Sequence, residues 1–122
     1  MIVVGGDGGS SVLRRHIVGV LTRIALRVVT EDVALDVNIV SGLEHQYNVH
    51  SFEWPADFPK PDTKGRPLGE IYLNPDFIAE KNQDFDHLLI HGFLHLVGYD
   101  HVQEDDRMKM EMREDELLRF LE

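Results

Sequence analysis

Residues 91–101, HGFLHLVGYDH, restrict what this chain can fold into more than any other stretch. His91 and His95 stand four apart, and on an α-helix such positions project from one face, one turn apart. A straight helix would carry His101 round to another face. His101 can join the pair only if the helix stops and the chain turns back. Gly98 lies three residues after His95, where glycine can take the left-handed backbone that ends a helix. The spacing therefore predicts a helix carrying His91 and His95, capped by Asp84 or Asp86, and a return that brings in His101. Three neutral imidazoles suit zinc and leave a fourth position for water, as catalytic zinc sites do. Water held there can lose a proton near pH ~7 and act as a nucleophile. Nickel, copper or iron also fit three imidazoles. A purely structural metal is the main alternative, because spacing does not show whether the fourth position is open.

The rest of the chain has to supply layers for that helix to pack on. Met1 to Val4 reads as a short strand, ended by GGDGG as a flexible turn. Those glycines lack the lysine and the spacing of a phosphate loop. Ser10 or Ser11 can cap a helix over Val12–Val29, where Leu13, Ile17, Val20, Leu21, Ile24 and Val28 recur at helical spacing and Leu26 falls off the stripe. LDVNIV (35–40), NVHSFEW (48–54) and LGEIYLN (68–74) alternate as half-buried strands do. The segment SGLEHQY joins the first two, and ADFPKPDTKGRP reads as a loop. Gln103 to Glu122 reads as a charged amphipathic helix with Met108, Met112, Leu117, Leu118 and Leu121 on its apolar side. The expected fold is α+β, a small mixed β-sheet packed with helices, over 1–122 as one domain.

Charge and composition bound the function. The chain has 122 residues, enough to bury a core without staples, and no cysteine, which excludes thiolate metal sites and disulfides. No segment reaches the roughly 20 apolar residues of a membrane span, and MIVVGGDGGSS lacks the marks of a signal peptide. A cytoplasmic protein with no membrane partner is expected. The net charge of −10 argues against sequence-blind nucleic-acid binding. Yet Arg14, Arg15, Arg23 and Arg27 lie in a run without acids, and acids dominate from Asp100 onward, so one face can be basic and the far end acidic.

Further candidates are weaker. Asp100 can orient a ligand from behind, relay protons, or simply bond its own backbone in a turn. His16, His45, His50 and His87 stand outside the ligand spacing. Met108, Met110 and Met112 are expected to pack a helix. Metal-dependent peptidases often carry HExxHxxGxxH, but the place of their glutamate base is Gly92 here. Losing such a base typically costs about 10²–10⁴-fold in rate, so peptide hydrolysis needs another carboxylate, such as Glu70.

The same eleven residues resemble the HGxLHLxGYDH signature of the YbeY endoribonucleases, bacterial rRNA maturation factors. Gly92, Leu94, Leu96, Gly98, Tyr99 and Asp100 agree as well as the histidines. NVHSFEWP resembles that family's NVLSFP strand, LGEIYLNP its following strand, and the acidic helix with Met110 and Glu114 its C-terminal helix. The resemblance implies one zinc ion on His91, His95 and His101. It also implies cleavage of single-stranded RNA, maturation of the small-subunit ribosomal RNA 3′ end, and ribosome quality control, with ribosomal RNA or the small subunit as partner and no DNA. On that reading Arg14, Arg15, Arg23 or Arg27 guides the RNA backbone. The chain departs from the family in its short SGLEHQY segment, which has no arginine, and in His50, where leucine is usual. Arg66 or an arginine of the first helix are the remaining candidates for the missing one. The alternatives are a metallopeptidase-like hydrolase and a non-catalytic ribosome-associated factor with a structural metal.

Overall fold

The chain builds its sheet from segments whose apolar residues alternate, and the computed structural model describes residues 2–29, 32–43, 48–54 and 66–122. Strand β1 spans Ile2–Gly6, β2 Val33–Ile39, β3 Val49–Glu53 and β4 Arg66–Leu73. Their order in the sheet is β1-β2-β4-β3. β2 runs parallel to both β1 and β4, while β3 pairs antiparallel with β4 at the sheet edge. The sheet is thus mixed, as the α+β expectation holds. Helix α1 spans Ser11–Val28, α2 Pro75–Glu80, α3 Phe85–Leu96 and α4 Glu104–Leu121.

The period of two decides which side of the sheet is covered. Leu35, Val37, Ile39, Ile71 and Leu73 are fully buried and join Ile17, Leu21 and Ile24 of α1 and Leu89, Ile90 and Phe93 of α3 in one core. Their alternates Asp36, Asn38, Glu70 and Tyr72 are only partly buried, so the described helices cover one face and leave the other open. Burying each of those large aliphatic side chains contributes about 1.5–3 kcal/mol, which holds the layers together.

Several local expectations change. Ser10 caps α1, accepting from the Leu13 amide at 3.1 Å, and Leu26 is 79% exposed, as its place off the stripe requires. The turn after β1 is held rather than loose. The Arg14 guanidinium donates to the carbonyls of Val4, Gly6 and Gly8 at 3.3, 2.8 and 2.7 Å. Helix α2 was not foreseen, although Asn74-Pro75 carries its signature. The Asn74 side chain accepts from the Phe77 amide, and Pro75 fills the first helical position, where a missing N–H costs nothing. The proline-rich segment 56–67 lies outside the described residues except at its end, where Arg66 and Pro67 already pair with Val33 and Ala34. Glu44–Tyr47 also lie outside them. In α4 the apolar side is the predicted one at Leu117, Leu118 and Leu121 and differs at the methionines. Met110 and Leu117 are buried, whereas Met108 and Met112 are 52% and 63% exposed.

The end of α3 follows from glycine chemistry. Asp84 starts the helix, its carboxylate accepting from the His87 amide at 3.2 Å. Val97 closes it, and Gly98 takes φ 106°. The Tyr99 amide then reaches back to the Leu94 carbonyl at 3.0 Å and the Gly98 amide to His95 at 3.2 Å, the paired bonds of a Schellman motif. Tyr99 packs against the core, as the residue after such a turn commonly does. A Cβ added at Gly98 would meet no other atom within 4 Å, so any cost of a side chain there is conformational. Gly98→Ala is therefore expected to destabilise the protein by about 1–2 kcal/mol, read from urea unfolding, because an L-residue is strained at positive φ.

Candidate metal centre

His91 and His95 come from adjacent turns of α3, and His101 comes from the segment after the Gly98 turn. One nitrogen from each ring lies within 4.8 Å of the others, and the three could hold a metal ion. The rings enclose a shared point, with centroids 4.6 Å apart for His91 and His95, 5.5 Å for His91 and His101 and 4.9 Å for His95 and His101.

Hydrogen bonding behind the rings fixes which nitrogens face inward. His91 Nδ1 lies 2.8 Å from Glu114 Oε2, and His95 Nδ1 lies 3.1 Å from the Tyr99 carbonyl oxygen. A carbonyl oxygen and an ionised carboxylate only accept, so both Nδ1 atoms carry the proton. Each Nε2 is left with a lone pair, and these two atoms are 3.1 Å apart. Two lone pairs at that distance repel unless a cation shares them. Two imidazole nitrogens on one tetrahedral zinc stand about 3.3 Å apart, from Zn–N bonds of ~2.0–2.1 Å. The donor set thus fits a divalent cation, with Glu114 and the Tyr99 carbonyl orienting two of its ligands.

Electrostatics point the same way. Burial pushes the His95 pKa below the usual histidine value, and the neighbouring His91 and His101 add to that. The bond to Tyr99 and the charge of Asp100 oppose it. His95 therefore favours the neutral form that a metal needs.

Glu114 is the site residue that spacing arguments missed. It is 4% exposed on α4, beside Met110 and Leu117, and His87 Nε2 approaches the same carboxylate oxygen at 3.3 Å. A signal existed: Met110, Glu114, Leu117 and Leu121 form a helical stripe with one acid in it. A charge in the buried face of a helix is retained where partners satisfy it.

The other predicted residues divide. Asp100 Oδ1 accepts from the amides of His101 at 2.6 Å and Val102 at 3.3 Å, so it shapes the turn that delivers His101. Its charge also reaches His95. Glu70 does not join the cluster. It alternates with Ile71, and Ile71 faces α3, so the strand sends Glu70 to the open side of the sheet. The α1 arginines are not gathered at the histidines either. Arg14 is committed to the three carbonyls after β1. Arg23 and Arg27 stack on the Phe120 ring, 5.3 and 4.6 Å from its centroid. Phe120 lies six residues beyond Glu114 on α4, about 9 Å further along the axis. Arg15 is exposed. His16 pairs with Asp86 at 2.6 Å, and His45 is outside the described residues.

A cleft of about 300 Å³ opens beside the cluster, between α3 and the edge strand β3. Asn48, Val49, Ser51 and Gly92 line it together with the histidines. Gly92 is a packing position. A Cβ there would meet Val49 Cγ2 at 3.0 Å and then the Ile71 side chain. The residue following the first histidine thus faces the sheet, and glycine lets α3 sit close to it.

Residues 22–122 match the family model described as Endoribonuclease YbeY. The Endoribonuclease YbeY of Clostridium botulinum (strain Alaska E43 / Type E3) is 38% identical over 76 residues, 54% of this chain and 46% of that protein. The Endoribonuclease YbeY of Salinibacter ruber is 36% identical over 112 residues, 80% of this chain and 69% of that one. The chain spans about half the length of several curated relatives it matches. The solution structure of TM1509 from Thermotoga maritima aligns with TM-score 0.57 at 27% identity, covering 96% of this chain and 89% of that one.

Two outcomes follow from the site. Glu114→Gln keeps an acceptor oxygen but loses the negative charge behind His91, and is expected to weaken metal binding about 10–100-fold in a chelator competition. Without metal, His95 gives stability a pH slope. Its folded pKa is lowered, so below the unfolded value of about 6.5 the unfolded chain takes up a proton that the folded chain resists. Stability should be unpenalised above that value and fall as pH drops through it. His95→Gln should flatten the slope in urea titrations of the metal-free protein.

Proposed function

The chain belongs to the YbeY endoribonuclease family, and on that premise we propose that it is a zinc-dependent endoribonuclease cutting single-stranded RNA. The observation that carries this reading is the facing pair of Nε2 lone pairs at 3.1 Å, with both Nδ1 atoms held from behind, at the floor of an open cleft. The family supports an RNA substrate, and the reading extends it to maturation of the small-subunit ribosomal RNA 3′ end, a part in ribosome quality control, and work in the cytoplasm. No helix among the described residues is long and apolar enough to cross a membrane.

In this reading His91, His95 and His101 hold the ion. Bound there, a divalent cation supplies Lewis-acid polarisation of a phosphodiester and a nucleophile at neutral pH. The chain's own groups do the rest. Glu114 and the Tyr99 carbonyl keep the two imidazoles of α3 in the binding tautomer. Asp100 fixes the turn that presents His101, and its charge favours a proton on His95 when the site is loaded with none. The cleft wall at Asn48 and Ser51 offers an amide and a hydroxyl to a sugar or phosphate. Arg15 is the arginine of α1 with its head group free to meet a phosphate, and it tests the proposed backbone guidance.

The metallopeptidase alternative loses its support. Its missing base was to come from Glu70, which faces the other side of the sheet. Restoring a glutamate next to His91 has no room, because Gly92 lies against Val49.

The experiment is cleavage of a single-stranded RNA with chelated, zinc-reloaded and His95→Ala protein. Chelation and the variant should each lower the rate by at least about 10²-fold, and zinc should restore the chelated sample. RNA cleavage that survives full metal removal would sink the reading. Gly92→Glu should destabilise the fold and yield no peptide hydrolysis in a peptide-library assay.

A further inference from the structure

Around the edge strand from the histidines lies a second concavity, of about 520 Å³, lined by His50, Phe52, Glu70 and Tyr72. It sits on the open face of the sheet. The register explains its make-up. His50 lies opposite Tyr72 and Phe52 opposite Glu70, so four alternating residues of β3 and β4 form a square patch. The His50 and Phe52 rings lie nearly parallel, stacked 18° apart with centroids separated by 6.1 Å. The Tyr72 ring stands at 85° to Phe52, 5.7 Å away, and makes a wall. Phe52 is 52% exposed, a large apolar ring open to solvent.

We propose that this patch is a subsite for one unstacked guanine base of the RNA strand, lined by Phe52 and His50 and read by the Glu70 carboxylate. The inference rests on the RNA reading above and deepens it. The volume falls within the ~300–1,000 Å³ of small-molecule sites. Single-stranded RNA is recognised by stacking splayed bases on aromatic rings and hydrogen-bonding their Watson–Crick edges. An ionised carboxylate has acceptors only. Guanine presents two adjacent N–H donors on that edge. Adenine and cytosine set an acceptor beside their single amino group, and uracil flanks its one N–H with carbonyls. The Glu70 carboxylate therefore favours a base edge that bears donors.

The place of the patch also suits the strand. His50 lines both this pocket and the metal cleft. β3 is the sheet edge, so a strand lying in the cleft can pass over it and drop one base onto the open face. Glu70, unable to serve the metal, thereby acquires a role in selecting sequence.

The test uses the chelated full chain, which cannot cut, and two uridine octamers, one with a single internal guanosine. Binding is read by fluorescence anisotropy. The guanosine oligomer should bind at least about fivefold tighter, about what one net hydrogen bond contributes. Glu70→Gln is nearly isosteric on a half-open face, so it should keep the fold by circular dichroism. It should remove the guanosine preference without weakening uridine binding. Phe52→Leu should reduce binding of both oligomers. Equal affinity of the unaltered chain for the two, no measurable affinity for either, or a preference that survives in Glu70→Gln overturns the proposal. Cleavage by the zinc-loaded chain is scored separately. Cutting without base preference removes the subsite alone, whereas preference without cutting leaves the subsite and removes the nuclease reading.

Discussion

The turn at Gly98 governs the geometry of everything that follows it. The positive φ there lets the Tyr99 amide satisfy the Leu94 carbonyl, which closes α3 within a residue of His95. That closure leaves the Tyr99 carbonyl in position to accept from His95 Nδ1, so the residue that ends the helix also sets a ring orientation. Two residues on, Asp100 bends the backbone again and His101 comes into line with the α3 pair. Only then can α4 begin where it does, running back along α3 to place Glu114 against His91. A buried carboxylate would ordinarily cost several kcal/mol. Here His91 and His87 both approach it, and the cost becomes an anchor between two helices.

How much of this was legible depends on what kind of information the sequence holds. The histidine spacing and Gly98 encode local geometry, and local geometry survived: the helix, its capping Asp84, its stop and the return of His101 all appear. The alternation in β2, β3 and β4 was equally readable, because the period of two needs no knowledge of partners. The side on which the helices lie is a tertiary fact. Glu70 was offered as the substitute base of a peptidase, yet only the packing of Ile71 on α3 decides that it points away. In α4 the exposed methionines misled. Met108 and Met112 are apolar but sit on either side of the stripe that Met110, Glu114 and Leu117 define. An acid in such a stripe is not readable as a core residue from spacing alone, because charge marks the outside unless a partner lies opposite.

The arginines of α1 illustrate a different limit. A cationic run without acids reads as an electrostatic face. Long guanidinium side chains, however, find the nearest carbonyls and rings. Arg14 closes the glycine turn after β1, and Arg23 and Arg27 clasp Phe120 on α4. The helix's basic character is thus partly spent on holding the first and last elements of the chain to it. No pattern in the sequence distinguishes that use from contact with phosphate, since both ask for the same residue.

The glycine beside His91 carries the separation between two kinds of hydrolase down to a contact distance. In a peptidase-like site the position after the first histidine supplies a base; here it supplies clearance. At 3.0 Å from Val49 Cγ2 a methyl group would need that side chain to give by a few tenths of an ångström. The cleft beside the metal cluster exists because α3 and β3 approach this closely and no side chain fills the gap. Proton transfer must then come from groups other than an α3 carboxylate. Glu114 sits behind His91 with its oxygen already shared between two imidazoles, on the wrong side of the ring to meet a substrate. Asp100 is the acid whose charge reaches His95, and only one of its oxygens is held by the turn. Tight helix–sheet packing at one glycine thus keeps a carboxylate out of the position after His91, while the turn that the other glycine creates brings the charge of Asp100 to His95.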